Sequence, residues 1–222
     1  MTFSLLGRCA RTGMMGAAAT TSAVAIGTRV PFARAGVGAV LTQHRTDPRL
    51  GPVVLDLLAA GFSASEALQG AVAATPHRDW RQLAVIDAQG RTASFSGARV
   101  KPEHGEAHGA SCVAVANIVR SASVPAAMIA AFERDPSLPL ADRLLAGLAA
   151  GDEAGGEFRP LISAALLVVH RESFPYVDLR VDRDAAPIAA LAALWGAYRS
   201  EADQYVLRAT DPERAGPPAS QA

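Results

Sequence analysis

The sequence is short of several residue types, and each shortage removes a class of function. Only two cysteines occur in 222 residues, Cys9 and Cys112. That is too few for a disulfide framework, and it fits a reducing compartment. Lys101 is the only lysine, so nearly all the positive charge is arginine. The net charge is +0 with 19% charged residues, which argues against a general nucleic-acid or polybasic membrane role. No stretch approaches the ~18 uninterrupted apolar residues of a membrane span. Residues 1–46 contain no Asp or Glu but carry Arg8, Arg11, Arg29, Arg34 and Arg45. That composition has a transit-peptide flavour, and Ser22-Ala23-Val24-Ala25 resembles a signal-peptidase site. Arg8 and Arg11 interrupt the apolar run, however, and no charged segment precedes it. The segment reads as mature structure, and the expected location is cytoplasmic.

What is present is ample apolar material, 50% of the chain, enough for a sizeable core. One domain is expected over residues 1–208, with a disordered Pro/Ser/Gly-rich tail over 209–222. Thr2 to Arg8 alternates as a strand does, and Met14 to Ala25 reads as a second strand of small residues after a turn at Arg11-Thr12-Gly13. A third strand is expected from Gly36 to Gln43. Pro52 suits the first turn of a helix running from Val53 to Ala60, and Ser63-Ala64-Ser65-Glu66 is a capping box opening another helix to about Ala74. Gln82 to Asp87 and Arg91 to Ser96 form a hairpin. A polar loop over Val100 to Ser111 leads into a strand from Cys112 to Val119. Two helices, Pro125 to Arg134 and Leu140 to Ala150, precede a flexible acidic link, Gly151 to Gly156. Ser163 to Val169 and Tyr176 to Val181 pair as strands, and Pro187 to Tyr198 is the final helix. Strand hairpins alternating with helix pairs suggest an α+β fold, a four-layer αββα sandwich of two antiparallel sheets.

The chemistry begins at the first residues. An initiator Met before a small Thr is normally trimmed, so the mature chain is expected to start at Thr2. A threonine with a free α-amine combines nucleophile and base, since the amine, with an ordinary pKa near ~7.7–8.0, takes the hydroxyl proton at neutral pH.

Several blocks carry a family likeness. Met1-Thr2-Phe3-Ser4, Val30-Pro31-Phe32-Ala33-Arg34-Ala35-Gly36-Val37-Gly38-Ala39-Val40, Thr42-Gln43, Asp47-Pro48-Arg49-Leu50-Gly51-Pro52, Arg81-Gln82-Leu83, Phe95-Ser96-Gly97, Ala116-Asn117 and Tyr176-Val177-Asp178-Leu179-Arg180-Val181 resemble the domain of unknown function 1028 family. That family is placed in the N-terminal nucleophile (Ntn) hydrolase superfamily. The likeness runs from Thr2 to about Arg199. It implies the same αββα sandwich, with the nucleophile at the start of the first strand. Many relatives carry a Lys where this chain has Ser22. A cation there would keep the α-amine neutral, so here an arginine or a hydroxyl network takes that task, or the amine relies on its own low pKa.

The implied activity is an amidohydrolase of the Ntn type, cleaving a non-peptide C–N bond in a small acylated, ureido or cyclic amide metabolite without a cofactor. The rival reading is a binding or assembly protein that keeps the sandwich without the chemistry. Thr2 is the candidate nucleophile. Asn117, an amide inside an apolar strand, is the candidate oxyanion donor. Thr21 and Ser22, on the strand expected beside the first, are candidates to face Thr2. Ser4 shares the face of Thr2. Gln43 is a candidate for orienting substrate, and Arg34 or Arg45 for holding a substrate carboxylate in a bidentate fork. His104 and His108 beside Glu103 and Glu106 lack a His-Glu-x-x-His pattern, so no metal is expected. Cys112 reads as a packed small hydrophobe. The expected partners are a carboxylate-bearing small molecule and a second copy in a homodimer.

Overall fold

A computed structural model of the chain describes residues 1–216. The chain-order elements are β1 (Thr2–Arg8), β2 (Met15–Thr21), β3 (Pro31–Arg34), β4 (Gly38–His44), α1 (Leu50–Ala59), α2 (Ala64–Ala74), β5 (Arg81–Asp87), β6 (Thr92–Ser96), β7 (His104–Gly109), β8 (Cys112–Asn117), α3 (Val124–Glu133), α4 (Leu140–Glu153), β9 (Ser163–Val169), β10 (Val177–Val181), α5 (Pro187–Tyr198) and α6 (Ala202–Thr210). One sheet has six strands in the order β10-β9-β2-β1-β8-β7, the other four in the order β3-β4-β5-β6, and the pairings are antiparallel.

Three apolar interfaces separate four layers, the αββα sandwich expected from the order of elements. Phe3 and Leu5 of β1, with Ala114 and Ala116 of β8, pack against Met128, Phe132, Leu144 and Leu148 of α3 and α4. Leu6, Ala17, Ala19, Val113 and Val115 face Ala39, Leu41, Ala84 and Ile86 across the middle of the sandwich. Val40, Leu83 and Val85 turn the other way, onto Val54, Leu58, Leu68 and Ala71 of α1 and α2. The period-two alternation of β1 therefore sends Phe3 and Leu5 towards the helices and Thr2, Ser4 and Leu6 inward between the sheets. Close approach of the helical layer to β1 depends on glycine at Gly7, where an added Cβ would lie 2.5 Å from Phe132 Cε2.

The structure corrects several expected boundaries. β2 ends at Thr21, not Ala25; the chain bends over Ser22–Ala25, and Ala25 takes φ 54° before a single 3-10 turn at Ile26–Thr28. Pro31–Arg34 is an additional strand, β3. It sits at a sheet edge, the position a proline-led strand tolerates. The expected polar loop contains β7, whose exposure alternates along His104-Gly105-Glu106-Ala107-His108-Gly109. Glycines and a lack of β-branched residues hide that period in the sequence. The expected link at Gly151 is instead the last turn of α4, with Gly151 buried against Phe3. The capping box at Ser63 and Glu66 forms with both reciprocal bonds. An additional helix, α6, takes up residues 209 and 210 of the expected tail, and residues 217–222 of that tail lie outside the described residues.

Candidate functional site

Thr2 lies in the middle of the six-stranded sheet, at the end where β1 begins. Asn117 of β8 stands opposite it on one side. On the other, the β1–β2 register, with Phe3 opposite Thr20, carries Thr21 beside it. All three are buried. The Thr2 hydroxyl donates to the Met1 carbonyl and lies 3.4 Å from the Thr21 hydroxyl. Thr21 Oγ1 donates to the same Met1 carbonyl at 2.5 Å. These side chains open onto a cavity of about 220 Å³ walled by Thr2, Thr21, Ser22, Arg29, His44 and Arg159 among others.

Behind Thr2 runs a relay of carboxamides that joins the two sheets. Ser4 Oγ donates to Gln43 Oε1 at 2.5 Å. Gln43 Nε2 donates to Gln82 Oε1 at 2.6 Å and to the Val115 carbonyl at 3.4 Å. Asn117 Nδ2 donates to the same Gln82 oxygen at 3.0 Å. Gln82 Nε2 donates to Ser96 Oγ and the Ala116 carbonyl, each at 3.0 Å. Gln43, Gln82 and Asn117 are within 1% of full burial, so each amide needs its partners. Asn117 Oδ1 alone among these atoms has no partner among the described residues.

None of the three expected binding residues lines the cavity. The amide of Gln43 is consumed by the relay and does not reach the cavity wall. Arg34, on the edge strand β3, pairs with Asp56 of α1 at 2.8 Å, both side chains exposed. Arg45 stacks its guanidinium over Trp80 and contributes only its charge near the chain start. Ser22 is at the cavity: its backbone N–H donates to both oxygens of Glu157 at 3.1 Å, and its hydroxyl faces the Met1 sulfur at 3.9 Å.

The sequence reading missed Glu157, Arg159 and Gln82. Glu157 is 4% exposed, brought beside the chain start by the turn through Gly155 and Gly156. Burial raises its pKa, against the pull of the Ser22 hydrogen bond and the terminal amine. The Met1 amine is lowered, first by its own burial and then by the charges of Arg159, Arg45 and Lys101, with Glu157 opposing. Arginines and Lys101 from distant segments thus place positive charge around the chain start. A signal for Gln82 was present: Gln43, Gln82 and Asn117 are three carboxamides in otherwise apolar strands.

His44 closes one wall. It ends β4 at φ 68°, a left-handed conformation that histidine adopts more readily than most residues. This turns its ring onto Trp80, with ring centroids 6.3 Å apart. Nδ1 donates to the Trp80 carbonyl at 2.9 Å, and Nε2 accepts the Lys101 N–H at 3.4 Å. Burial lowers its pKa, in keeping with a neutral ring. His104 and His108 are on β7, not in a loop, and residues four apart on a strand stand roughly 13 Å apart. His108 is held by Thr92 and Ser94, each at 2.7 Å. The Cys112 thiol is pushed up to about 12 by burial and Glu133, which leaves it a packed hydrophobe.

A family model described as "Family of unknown function (DUF1028)" matches residues 2–191. The chain belongs to this family. DUF1028 also includes protein SPO2555 from Silicibacter pomeroyi, whose crystal structure matches with a TM-score of 0.82 and 34% identity over 89% of this chain and 88% of that one. Weaker likenesses are to Anbu (ancestral beta-subunit) from Yersinia bercovieri, TM-score 0.44 and 12% identity over 90% of this chain and 95% of that one. Anbu from Hyphomicrobium sp. strain MC1 gives TM-score 0.46 and 11% identity over 90% and 96%. No residue role transfers to this DUF1028 chain at that distance. No curated protein matches it. No helix among the described residues is long and apolar enough to cross a membrane.

Proposed function

We propose that the chain is an N-terminal nucleophile amidohydrolase in which Thr2, freed by loss of Met1, attacks the carbonyl carbon of a small amide, ureido or cyclic amide substrate. The observation that carries this reading is the setting of the Thr2 hydroxyl: start of a central strand, inner face, open to a cavity, with a second hydroxyl 3.4 Å away. Loss of Met1 leaves the α-amine on the same residue as the hydroxyl. The amine takes the hydroxyl proton, directly or through one water, as Oγ1 bonds to the substrate carbon. The tetrahedral oxyanion collapses to an acyl-enzyme ester, and the departing nitrogen receives the proton from the amine. Water then attacks the ester, and Thr2 is regenerated.

Thr21 supports this as an oxyanion donor, because its hydroxyl already donates to a carbonyl oxygen, that of Met1, beside the nucleophile. Asn117 takes a different part from the donor expected from sequence. Its Nδ2 is spent on Gln82, and its free Oδ1 belongs to the residue opposite Thr2. In the proposal Asn117 accepts an N–H of the Thr2 amine and orients its lone pair. Ser22 shapes the cavity and fixes Glu157.

The test is hydrolysis of an amide library by protein whose intact mass shows Thr2 at the N-terminus. Thr2→Ala is expected to lower turnover by about 10³-fold or more with the fold unchanged by circular dichroism. In the proposal Arg159, Arg45 and Lys101, whose charges, after burial, lower the Met1 amine against Glu157, act on the Thr2 amine as well. The acid limb of kcat/KM should therefore fall below the ~7.7–8.0 of an ordinary α-amine. Full turnover by Thr2→Ala refutes the mechanism and favours the binding-protein reading.

A further inference from the structure

The side chains that wall the cavity at Thr2 carry charge of one sign. Arg29 and Arg159 both line it, and among the described residues no aspartate or glutamate does. His44 adds no charge, since burial lowers its pKa and both ring nitrogens are taken up by Trp80 and Lys101. Glu157 is not part of the wall; its carboxylate is turned onto Ser22 and Thr21. Arg29 is half-buried and gives Nη1 to the Val24 and Ala25 carbonyls at 2.8 and 2.7 Å. Those acceptors are uncharged, so they fix the guanidinium without cancelling its charge. Arg159 is exposed, and among the described residues neither arginine forms an ion pair. Arg159 also borders a larger groove lined by α4 and α5, yet it pairs with neither Asp152 nor Glu153 there. The segment that carries it is pinned. Glu157 bridges to Val119, and Arg120 donates to the Glu157 carbonyl at 2.9 Å and the Phe158 carbonyl at 3.2 Å. Two guanidiniums are thus held by separate anchored segments beside the nucleophile, and a cleft lined by one sign of charge gathers ligands of the other.

We propose that Arg159 is the specificity-determining residue of this cavity, its guanidinium taking a substrate carboxylate in a bidentate fork while Arg29 supplies the second positive charge and the scissile carbonyl lies at Thr2. An exposed guanidinium keeps its donors in a planar fork that matches a carboxylate. The role expected of Arg34 or Arg45 therefore passes to an arginine that does line the cavity. The volume, about 220 Å³, equals roughly seven waters at ~30 Å³ each. That admits a small N-acyl or N-carbamoyl amino acid, with the carboxylate on the side of the departing nitrogen. The inference rests on the hydrolase reading for its chemistry. Thr2 Oγ1 bonds to the acyl carbon, the C–N bond breaks, the nitrogen takes the proton from the amine and leaves as the amino acid, and water hydrolyses the ester. Binding does not need that chemistry, and Thr2→Ala protein retains it.

The experiment uses Thr2→Ala protein with Met1 removed, so that nothing is hydrolysed, titrated by calorimetry with N-acetylglycine. The comparison ligand is N-acetylglycinamide, which keeps the acyl group and the size but replaces the carboxylate by a neutral amide. The expected result is saturable binding of N-acetylglycine, at least tenfold weaker binding of N-acetylglycinamide, and a similar loss for N-acetylglycine in Thr2→Ala/Arg159→Gln. Arg159→Lys, which keeps the charge but not the fork, should fall between. Equal binding of the two ligands, no binding of N-acetylglycine, or full affinity in the Arg159→Gln protein overturns the proposal. Because Arg159 is exposed, its replacement leaves the fold in place, and the ligand pair decides the matter without it. Failure here leaves the hydrolase reading standing, since that reading falls only on the turnover of Thr2→Ala.

Discussion

Replacing Gln82 by methionine removes the junction on which the carboxamide relay depends while keeping the volume of the side chain nearly constant. The cost follows from counting partners. Asn117 Nδ2 loses the acceptor it holds at 3.0 Å, while Gln43 Nε2 loses its 2.6 Å acceptor and keeps only the longer bond to Val115. Ser96 keeps access to solvent, since it is half-buried. One buried amide donor orphaned outright costs about 1–3 kcal/mol, and one weakened donor adds about 1 kcal/mol. The expected loss is about 2–4 kcal/mol, which for a chain of this size lowers Tm by roughly 4–16 °C. Urea denaturation gives the free energy. A double-mutant cycle with Asn117→Val isolates the bond itself. Gln82→Met strands Asn117 Nδ2, a cost that disappears once Asn117 is valine, whereas Asn117→Val leaves Gln82 Oε1 with Gln43 Nε2; the double variant should therefore cost about 1–2 kcal/mol less than the sum of the singles. Additive costs, or a loss under about 0.5 kcal/mol for Gln82→Met, would refute the view that the relay ties the two sheets together behind Thr2.

Two further tests reach the scaffold around the site. Gly7→Ala sets a methyl 2.5 Å from Phe132 Cε2 and should destabilise by about 1–3 kcal/mol in urea; Phe132→Leu in the same chain should return part of it, and a neutral Gly7→Ala would show that the helical layer is not held that close. Asp47 secures the loop that carries His44 and Thr46 to the cavity, through Arg49 at 2.9 Å and Arg81 at 3.5 Å. The Arg49 hydrogen bonds lead in holding its carboxyl below the usual value. A carboxyl lowered by folding stabilises above its unfolded value, near ~3.9, and loses that contribution as pH falls through the folded one. The stability gap between wild type and Asp47→Asn should therefore be full at neutral pH and shrink below about pH 4; a gap that stays constant down to pH 2 would assign the loss to packing.

The part of the site that could be read from sequence is the part set by local ladder geometry. Alternation along β1 gives the inward face of Thr2 and Ser4, and a hairpin brings Thr21 alongside. Asn117 was conspicuous as an amide in an apolar strand. Residues that reach the cavity from afar carried no local signal. Glu157 and Arg159 follow a glycine pair that read as a link, and the three-carboxamide relay exists only once the second sheet is stacked on the first. Arg34 illustrates how one missed element misleads. With β3 recognised, the chain leaves the cavity at Val30 and runs along the sheet edge, so that Arg34 ends roughly 13 Å further on. For the fold, helix and strand order sufficed to give the layers, whereas β7 was hidden by glycines that weaken its period.

Because β1 is an interior strand whose first residue lies at the cavity, anything joined ahead of the half-buried Met1 starts at the cavity wall. A recombinant chain extended upstream by an affinity tag would begin that extension in the space where the proposed mechanism places a substrate. By the proposed mechanism such a preparation also lacks the free Thr2 amine and should screen as inert. A tag at the other terminus leaves the proposed nucleophile free, so only such a sample tests the mechanism.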